Sequence, residues 1–173
     1  MKKMICLAAA AALSMGYLAN VQAAGVSLDI GQTGDSSSNT VYRLGTQFDF
    51  SSKWFQSDVG HVGGYWDAAY TYWEGGESAG SHSISFTPMF VYEFAGETIR
   101  PYVEAGIGVA LFSSTELDDH DIGTSFQFED RIGAGLRFNN QELGLRAMHY
   151  SNAGIKQPND GIETYSLHYR LSF

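Results

Sequence analysis

The stretch SISFTPMFVYEF, residues 83–94, alternates with a period of two. Ile84, Phe86, Pro88, Phe90, Tyr92 and Phe94 share one face, and Ser83, Ser85, Thr87 and Glu93 share the other. Successive side chains of a strand point to opposite sides of a sheet, so a run of this kind predicts a strand with one apolar face. PYVEAGIGVALF at 101–112 sets Val103, Ala105, Ile107, Val109 and Leu111 against Tyr102, Glu104, Gly106, Gly108 and Ala110. ETYSLHYRLSF at 163–173 sets Tyr165, Leu167, Tyr169, Leu171 and Phe173 against Thr164, Ser166, His168, Arg170 and Ser172. Eight such segments are predicted, at 25–31, 41–50, 62–73, 82–94, 100–112, 126–138, 141–152 and 163–173. Polar, glycine-rich loops follow the first, third, fifth and seventh. Tight turns follow the fourth and sixth, around AGET and NN. The connection SSKWFQSDVG is longer than this scheme requires.

Two all-β architectures share the pattern: a soluble eight-stranded barrel, apolar within, and an outer-membrane barrel, apolar without. The face opposite the apolar one separates them. It carries Arg43, Asp49, Asp67, Glu93, Glu104, Glu129, Arg131, Arg137 and Arg146 with glycines between, a set suited to a narrow lumen filled by paired charges. Long loops at one end and short turns at the other, with a final strand ending on Phe173, fit the same reading. The prediction is an all-β, eight-stranded antiparallel transmembrane β-barrel over residues 24–173.

The first residues read as a separate element. Lys2 and Lys3 precede an apolar run from Met4 to about Leu18, and VQAA at 21–24 suits cleavage after Ala23, so 1–23 is expected to be a signal peptide. The one cysteine, Cys6, lies inside it, which leaves residues 24–173 without disulfide, thiolate or cysteine-metal chemistry. The formal charge is −9 and loses two cations with the leader. A chain so acidic is not expected to bind nucleic acid, where phosphate contacts need clustered Lys or Arg.

Polar residues at lipid-facing parity point to chemistry. In LGLRAMHYSNAG, residues 143–154, Leu143, Leu145 and Ala147 face outward, and so must His149 and Ser151. Counting back from Phe173 through Leu171, Tyr169, Leu167 and Tyr165 places Glu163 outward as well. Polar groups on the lipid side cost free energy, most at the midplane. Serine, histidine and a carboxylate are the parts of acyl transfer: nucleophile, base, and the acid that orients the base. If Ser151 lies opposite Glu163, then Glu163 and His149 are diagonal neighbours within side-chain reach. Asn152 and the main-chain N–H near Gly154 are the nearest oxyanion donors. On residues alone, a polar strand end in the headgroup zone fits too. A non-catalytic barrel acting as adhesin or scaffold, and an outer-membrane phospholipase, stay open on the same grounds.

HYSNAGIKQPNDGIE at 149–163 resembles the signature of the PagL-type lipid A 3-O-deacylases. So do YWDAAYTYWEGG at 65–76, VYEFAG at 91–96, EAGIGVA at 104–110 and FEDRIGAGLRF at 128–138. The resemblance covers essentially all of residues 24–173. It implies an outer-membrane esterase with neither cofactor nor metal, whose substrate is lipid A of lipopolysaccharide among the outer-membrane lipids. It assigns His149 as base, Ser151 as nucleophile and Glu163 as orienting acid, with Asn152 and Gly154 at the oxyanion hole. If the first strand rises from the periplasm, the triad faces the outer leaflet. The aromatic wall leaves room for a homodimer.

The remaining motifs have plainer readings. His61, His82, His120 and His168 are not spaced as metal ligands, and DDHD at 118–121 reads as a solvated acidic loop. Trp54, Phe55, Trp66, Tyr70, Tyr72 and Trp73 read as interfacial belt aromatics. Asp130, between Phe128 and Ile132 at lipid-facing parity, fits nothing in the pattern unless a bulge turns it inward.

Overall fold

The eight alternating segments close on themselves. A computed structural model describes residues 25–34, 38–76, 80–118 and 120–173; the predicted signal peptide lies outside these residues. The barrel strands are β1 (Gly25–Thr33), β2 (Thr40–Asp49), β3 (Gly60–Trp73), β4 (Ser81–Phe94), β5 (Ile99–Phe112), β8 (Phe126–Phe138), β9 (Gln141–Ser151) and β10 (Ile162–Ser172). Each pairs antiparallel with its neighbours, and β1 pairs with β10 from Gly25↔Ser172 to Thr33↔Thr164, so no edge is left open. A two-stranded hairpin, β6 (Glu116–Leu117) and β7 (His120–Asp121), stands in the loop between β5 and β8.

Polarity is inverted relative to a soluble protein. Leu44, Ile107, Ile132, Leu145 and Leu167 lie exposed on the outer wall, whereas Arg43, Asp67, Glu129, Arg131 and Arg146 are buried within. Only a hydrocarbon solvent makes that arrangement stable, because there the apolar wall is the solvated face. The lumen is filled by a buried network of paired charges. Arg43 binds Asp67 at 2.6 Å and Glu129 at 3.0 Å, and Arg131 binds Asp67 at 2.9 Å and also Glu129. Arg146 joins Asp29 at 3.1 Å to Glu104 at 2.7 Å, and His168 lies 3.1 Å from the same Asp29. Above this network Val41, Trp73, Phe112, Ile122, Met148, Tyr150 and Ile162 form an apolar cluster under the long loops.

Three departures from the sequence reading have physical causes. Trp73 points inward, donates Nε1–H to Ser83 at 2.9 Å and packs against Phe112 and Tyr150, so it is a core residue and not part of the belt. The long connection after β2 folds back along the outside of β3. Trp54 bridges Val62 and Phe50 packs on Trp66 and Phe90, which buries Trp66 although it faces outward. Third, the β9–β10 register pairs Glu163 with His149 directly, not with Ser151. A slip of two residues preserves every side chain's face, so the facing of these residues was readable and the pairing was not.

Candidate active site

The outward face of β9 and β10 brings two of the three residues expected to form a triad into contact. His149 and Glu163 are cross-strand partners, with His149 Nδ1 2.9 Å from Glu163 Oε1. A carboxylate only accepts hydrogen bonds, so this contact places the imidazole proton on Nδ1 and turns the lone pair of Nε2 away from the strand pair. The two side chains are 42% and 53% exposed, which keeps the pair reachable from the wall. Ser151 ends β9, two residues beyond His149 on the same face, and pairs with Phe128 of β8. Among the described residues its hydroxyl makes no hydrogen bond. Catalytic hydrogen bonds are often long in the free enzyme and tighten when substrate arrives.

Gly161 explains how the hairpin fits around the histidine. Ile162 pairs with Tyr150, and continuing that register by one residue brings Gly161 across from Ser151. Its φ is +66°, and a Cβ there would stand 3.0 Å from Cε1 of His149. The absent side chain lets the chain turn left-handed against the ring and leaves the space beside the hydroxyl open.

Asn152 faces the other way. Its side chain is buried and donates Nδ2–H to the carbonyls of Ile122 and Lys156, both at 2.9 Å, while its Oδ1 accepts from Lys156 N–H at 3.4 Å. Its own N–H is held by Asn159 Oδ1 at 2.9 Å. With these hydrogen bonds Asn152, expected from the sequence at the oxyanion hole, pegs the turn that follows Ser151. What it holds is Ala153 at φ 53° and Gly154 at φ 77°, with open space where a Gly154 side chain would be. The Gly154 N–H has no hydrogen-bond partner among the described residues and remains available to an anion. Through Ile122, whose carbonyl also accepts from Gln127 at 3.0 Å, the β5–β8 loop becomes part of the support of the site. Asp121 and Asp160 link the same two loops, Asp121 N–H donating to Asp160 Oδ2 at 3.0 Å.

The surrounding wall suits a hydrocarbon chain. Below His149, Ala147 lies between Ile132 and Tyr165; below that, Leu145 lies between Ala134 and Leu167. Two small residues, Ala147 and Ala134, thus stand amid larger apolar ones on the wall below His149. The described residues contain no group of three His, Cys, Asp or Glu side chains placed to hold a metal ion. What the arrangement can do chemically is transfer an acyl group from an ester held against the outside of the barrel.

Residues 40–172 match the family model described as lipid A 3-O-deacylase (PagL). Over 173 residues the chain is 59% identical to the lipid A deacylase PagL of Pseudomonas aeruginosa (strain PAO1), covering 99% of each. It is 40% identical to the lipid A deacylase PagL of Bordetella bronchiseptica (strain RB50) over 129 residues, which span 72% of this chain and 67% of that one. The crystal structure of the outer membrane enzyme PagL superposes with a TM-score of 0.83 at 59% identity, covering 87% of this chain and 100% of the other.

Proposed function

This chain belongs to the lipid A 3-O-deacylase (PagL) family, and we propose that it removes the 3-O-linked acyl chain of lipid A by a Ser151–His149–Glu163 mechanism. It is an outer-membrane β-barrel enzyme that deacylates lipid A. The rest of the reading follows from where the side chains stand. Ser151 Oγ attacks the ester carbonyl as His149 Nε2 takes the hydroxyl proton. Glu163, on Nδ1, holds the ring and offsets the positive charge that forms on it. Negative charge on the former carbonyl oxygen is met by the Gly154 N–H, in the turn that Asn152 pins. The Asn159 Nδ2 group is a second donor in the same loop, since that amide is anchored through its oxygen.

The tetrahedral intermediate collapses as imidazolium returns the proton to the departing sugar oxygen. A water molecule then gives a proton to His149 and attacks the Ser151 ester, which releases the fatty acid and restores the serine. With β1 rising from the periplasm, the loop after β9 lies at the outer surface, so the triad faces the leaflet in which lipopolysaccharide resides. The substrate approaches sideways, with its acyl chain along the wall past Ala147 and Ala134.

The observation that carries this reading is the His149–Glu163 contact at 2.9 Å on the outer apolar wall, with Ser151 on the same face. The test is mass spectrometry of lipid A from cells making the wild-type chain or Ser151→Ala, with heat-modifiable migration as the control for folding. Wild type should remove one hydroxyacyl chain, and Ser151→Ala should lower the rate by roughly 10³-fold or more. A Ser151→Ala protein with full activity would falsify the assignment. Fatty-acid release from phospholipid vesicles, run in parallel, should be absent; phospholipid cleaved at a comparable rate would replace the substrate assignment with a phospholipase.

A further inference from the structure

A second histidine stands on the outer wall, on the side of the barrel away from the first. Around the ring β3 is four strands from β9 in either direction. Tyr42 of β2, Tyr72 of β3 and His82 of β4 form one cross-strand row there. The rings of Tyr42 and Tyr72 lie stacked with centroids 6.5 Å apart, and those of Tyr72 and His82 are 5.4 Å apart. Tyr70, two residues back along β3, brings its hydroxyl to 2.6 Å from His82 Nδ1. A phenol is the better donor and an imidazole nitrogen the better acceptor, so the hydroxyl donates and the ring proton sits on Nε2. That N–H has no acceptor among the described residues. All four side chains are exposed. β3 ends at Trp73 and β4 begins at Ser81, so the cluster lies at the same end of the barrel as Ser151, which closes β9. An interfacial belt accounts for aromatic rings at this height, but not for a tyrosine–histidine pair with a donor to spare.

We propose that this rim is a second, non-catalytic binding site, and that its ligand is the sugar headgroup of a lipid A molecule whose acyl chains lie on the wall beneath. The proposal rests on the outer-leaflet placement given above, since lipid A is the sugar-headed lipid of that leaflet. Sugar hydroxyls both donate and accept hydrogen bonds, and the rim answers both. His82 Nε2–H donates, the tyrosine hydroxyls do either, and Glu74, exposed just past the end of β3, accepts. Exposed tyrosine rings also offer an apolar body to the C–H groups of a sugar. Charge argues against a phosphate as the group recognised. β2, β3 and β4 carry one Lys or Arg between them, Arg43, and it is buried in the lumen. The neighbouring row is Leu44, Tyr70 and Ile84, with both aliphatic side chains exposed, which suits acyl chains and not a free sugar.

The experiment counts lipid A bound to the full barrel by native mass spectrometry, in micelles of a detergent without a sugar headgroup. The Ser151→Ala protein is used so that substrate persists, and two equivalents should bind. His82→Leu and, separately, Tyr72→Leu, each made in the Ser151→Ala protein, should weaken one equivalent about tenfold and leave the other within about twofold. Tyr70→Phe, which removes only the hydroxyl that orients the ring, should weaken the same equivalent about threefold. Lipid A stripped of its phosphates should bind there equally well, and phosphatidylethanolamine should not displace it. Heat-modifiable migration shows that each variant is folded. A single equivalent, or a second one indifferent to all three substitutions, would overturn the proposal. So would a second equivalent lost with the phosphates or displaced by phosphatidylethanolamine. Counting in micelles does not depend on which leaflet the loops face. Cleavage is followed on the same spectra and tests the triad separately. Deacylated lipid A keeps its sugar, so continued cleavage by Ser151→Ala would remove the triad and leave this count intact.

Discussion

Two contacts to a carboxylate in this barrel close to the same 2.9 Å, one inside and one outside. Arg131–Asp67 is sealed in the lumen, with neither side chain exposed. His149–Glu163 is about half exposed on the wall. Equal distances hide opposite duties. In the lumen each charge depends on several others: Asp67 holds Arg43 and Arg131, and Glu129 receives both arginines together with Thr87 and Tyr150. An ion removed from water and matched in this way is costly to strand but gains little over a well-packed apolar interior. On the wall a half-exposed pair adds little to stability. It sits on the outer wall, where the proposed mechanism uses it to orient the base.

The sharpest way to break that contrast is to strand charge inside. Asp67→Ala leaves Arg43 and Arg131 facing each other with Glu129 alone between them, and should destabilise the barrel by about 3–5 kcal/mol. Urea unfolding in detergent micelles, followed by the shift in electrophoretic migration, measures it. Activity per folded molecule should stay within about threefold, because Asp67 is on β3 and the triad on β9 and β10. A stability loss under about 1 kcal/mol would mean that the lumen network is replaceable and that the two pairs differ less than their burial suggests.

Next in size is the reverse change on the wall. Glu163→Ala should leave the unfolding midpoint unmoved and lower the deacylation rate by about 10–100-fold, less than loss of the serine, since the base remains and only its orienting partner goes. Rates from time-resolved lipid A mass spectra, set beside unfolding curves of the same preparation, separate the two effects. A shift in stability comparable to that of Asp67→Ala would place Glu163 among the structural charges and sink its role as orienting acid.

The asymmetry between wall and lumen also decides how much could be read from the sequence. Facing was legible nearly everywhere, because a bilayer outside and ions inside leave each side of a strand one acceptable chemistry. The alternation of Leu143, Leu145 and Ala147 put His149 and Ser151 outward, and the same count put Tyr150 and Asn152 inward. Pairing across strands was not legible, since a shift of two residues leaves every face unchanged. Hence Glu163 was expected opposite Ser151 and is found opposite His149, and Asp130 is found beside His149 with no bulge to turn it inward. The hairpin Glu116–Leu117 with His120–Asp121 was missed because two-residue strands leave no alternation to read, and the fold-back of residues 50–59 because it depends on a contact distant in sequence, Phe50 on Phe90.

The smallest expected effect belongs to the residue where the two duties meet. Gly161 is a backbone necessity, at φ +66°, and also a wall of the site, with a hypothetical Cβ 3.0 Å from Cε1 of His149. A methyl group there meets both demands at once. The left-handed conformation should cost alanine about 1 kcal/mol of stability. The approach is tighter than ordinary van der Waals contact, so the ring must give by a few tenths of an ångström or the hairpin must move. Because the Glu163 contact holds the imidazole from Nδ1, the ring can yield only by loosening that contact, and the deacylation rate should fall by about three- to tenfold. Gly161→Ala therefore predicts a small loss in both unfolding midpoint and kcat, unlike Asp67→Ala, which affects stability alone, and Glu163→Ala, which affects rate alone. Gly154→Ala provides the contrast within the same loop, since its φ is +77° but nothing lies within 4 Å of the added carbon. It should show a comparable stability loss while sparing the histidine, and the pH profile of kcat should keep its wild-type acid limb. If Gly161→Ala and Gly154→Ala reduce stability equally and neither alters kcat, the ring tolerates the methyl group, and backbone conformation alone accounts for the glycine at 161.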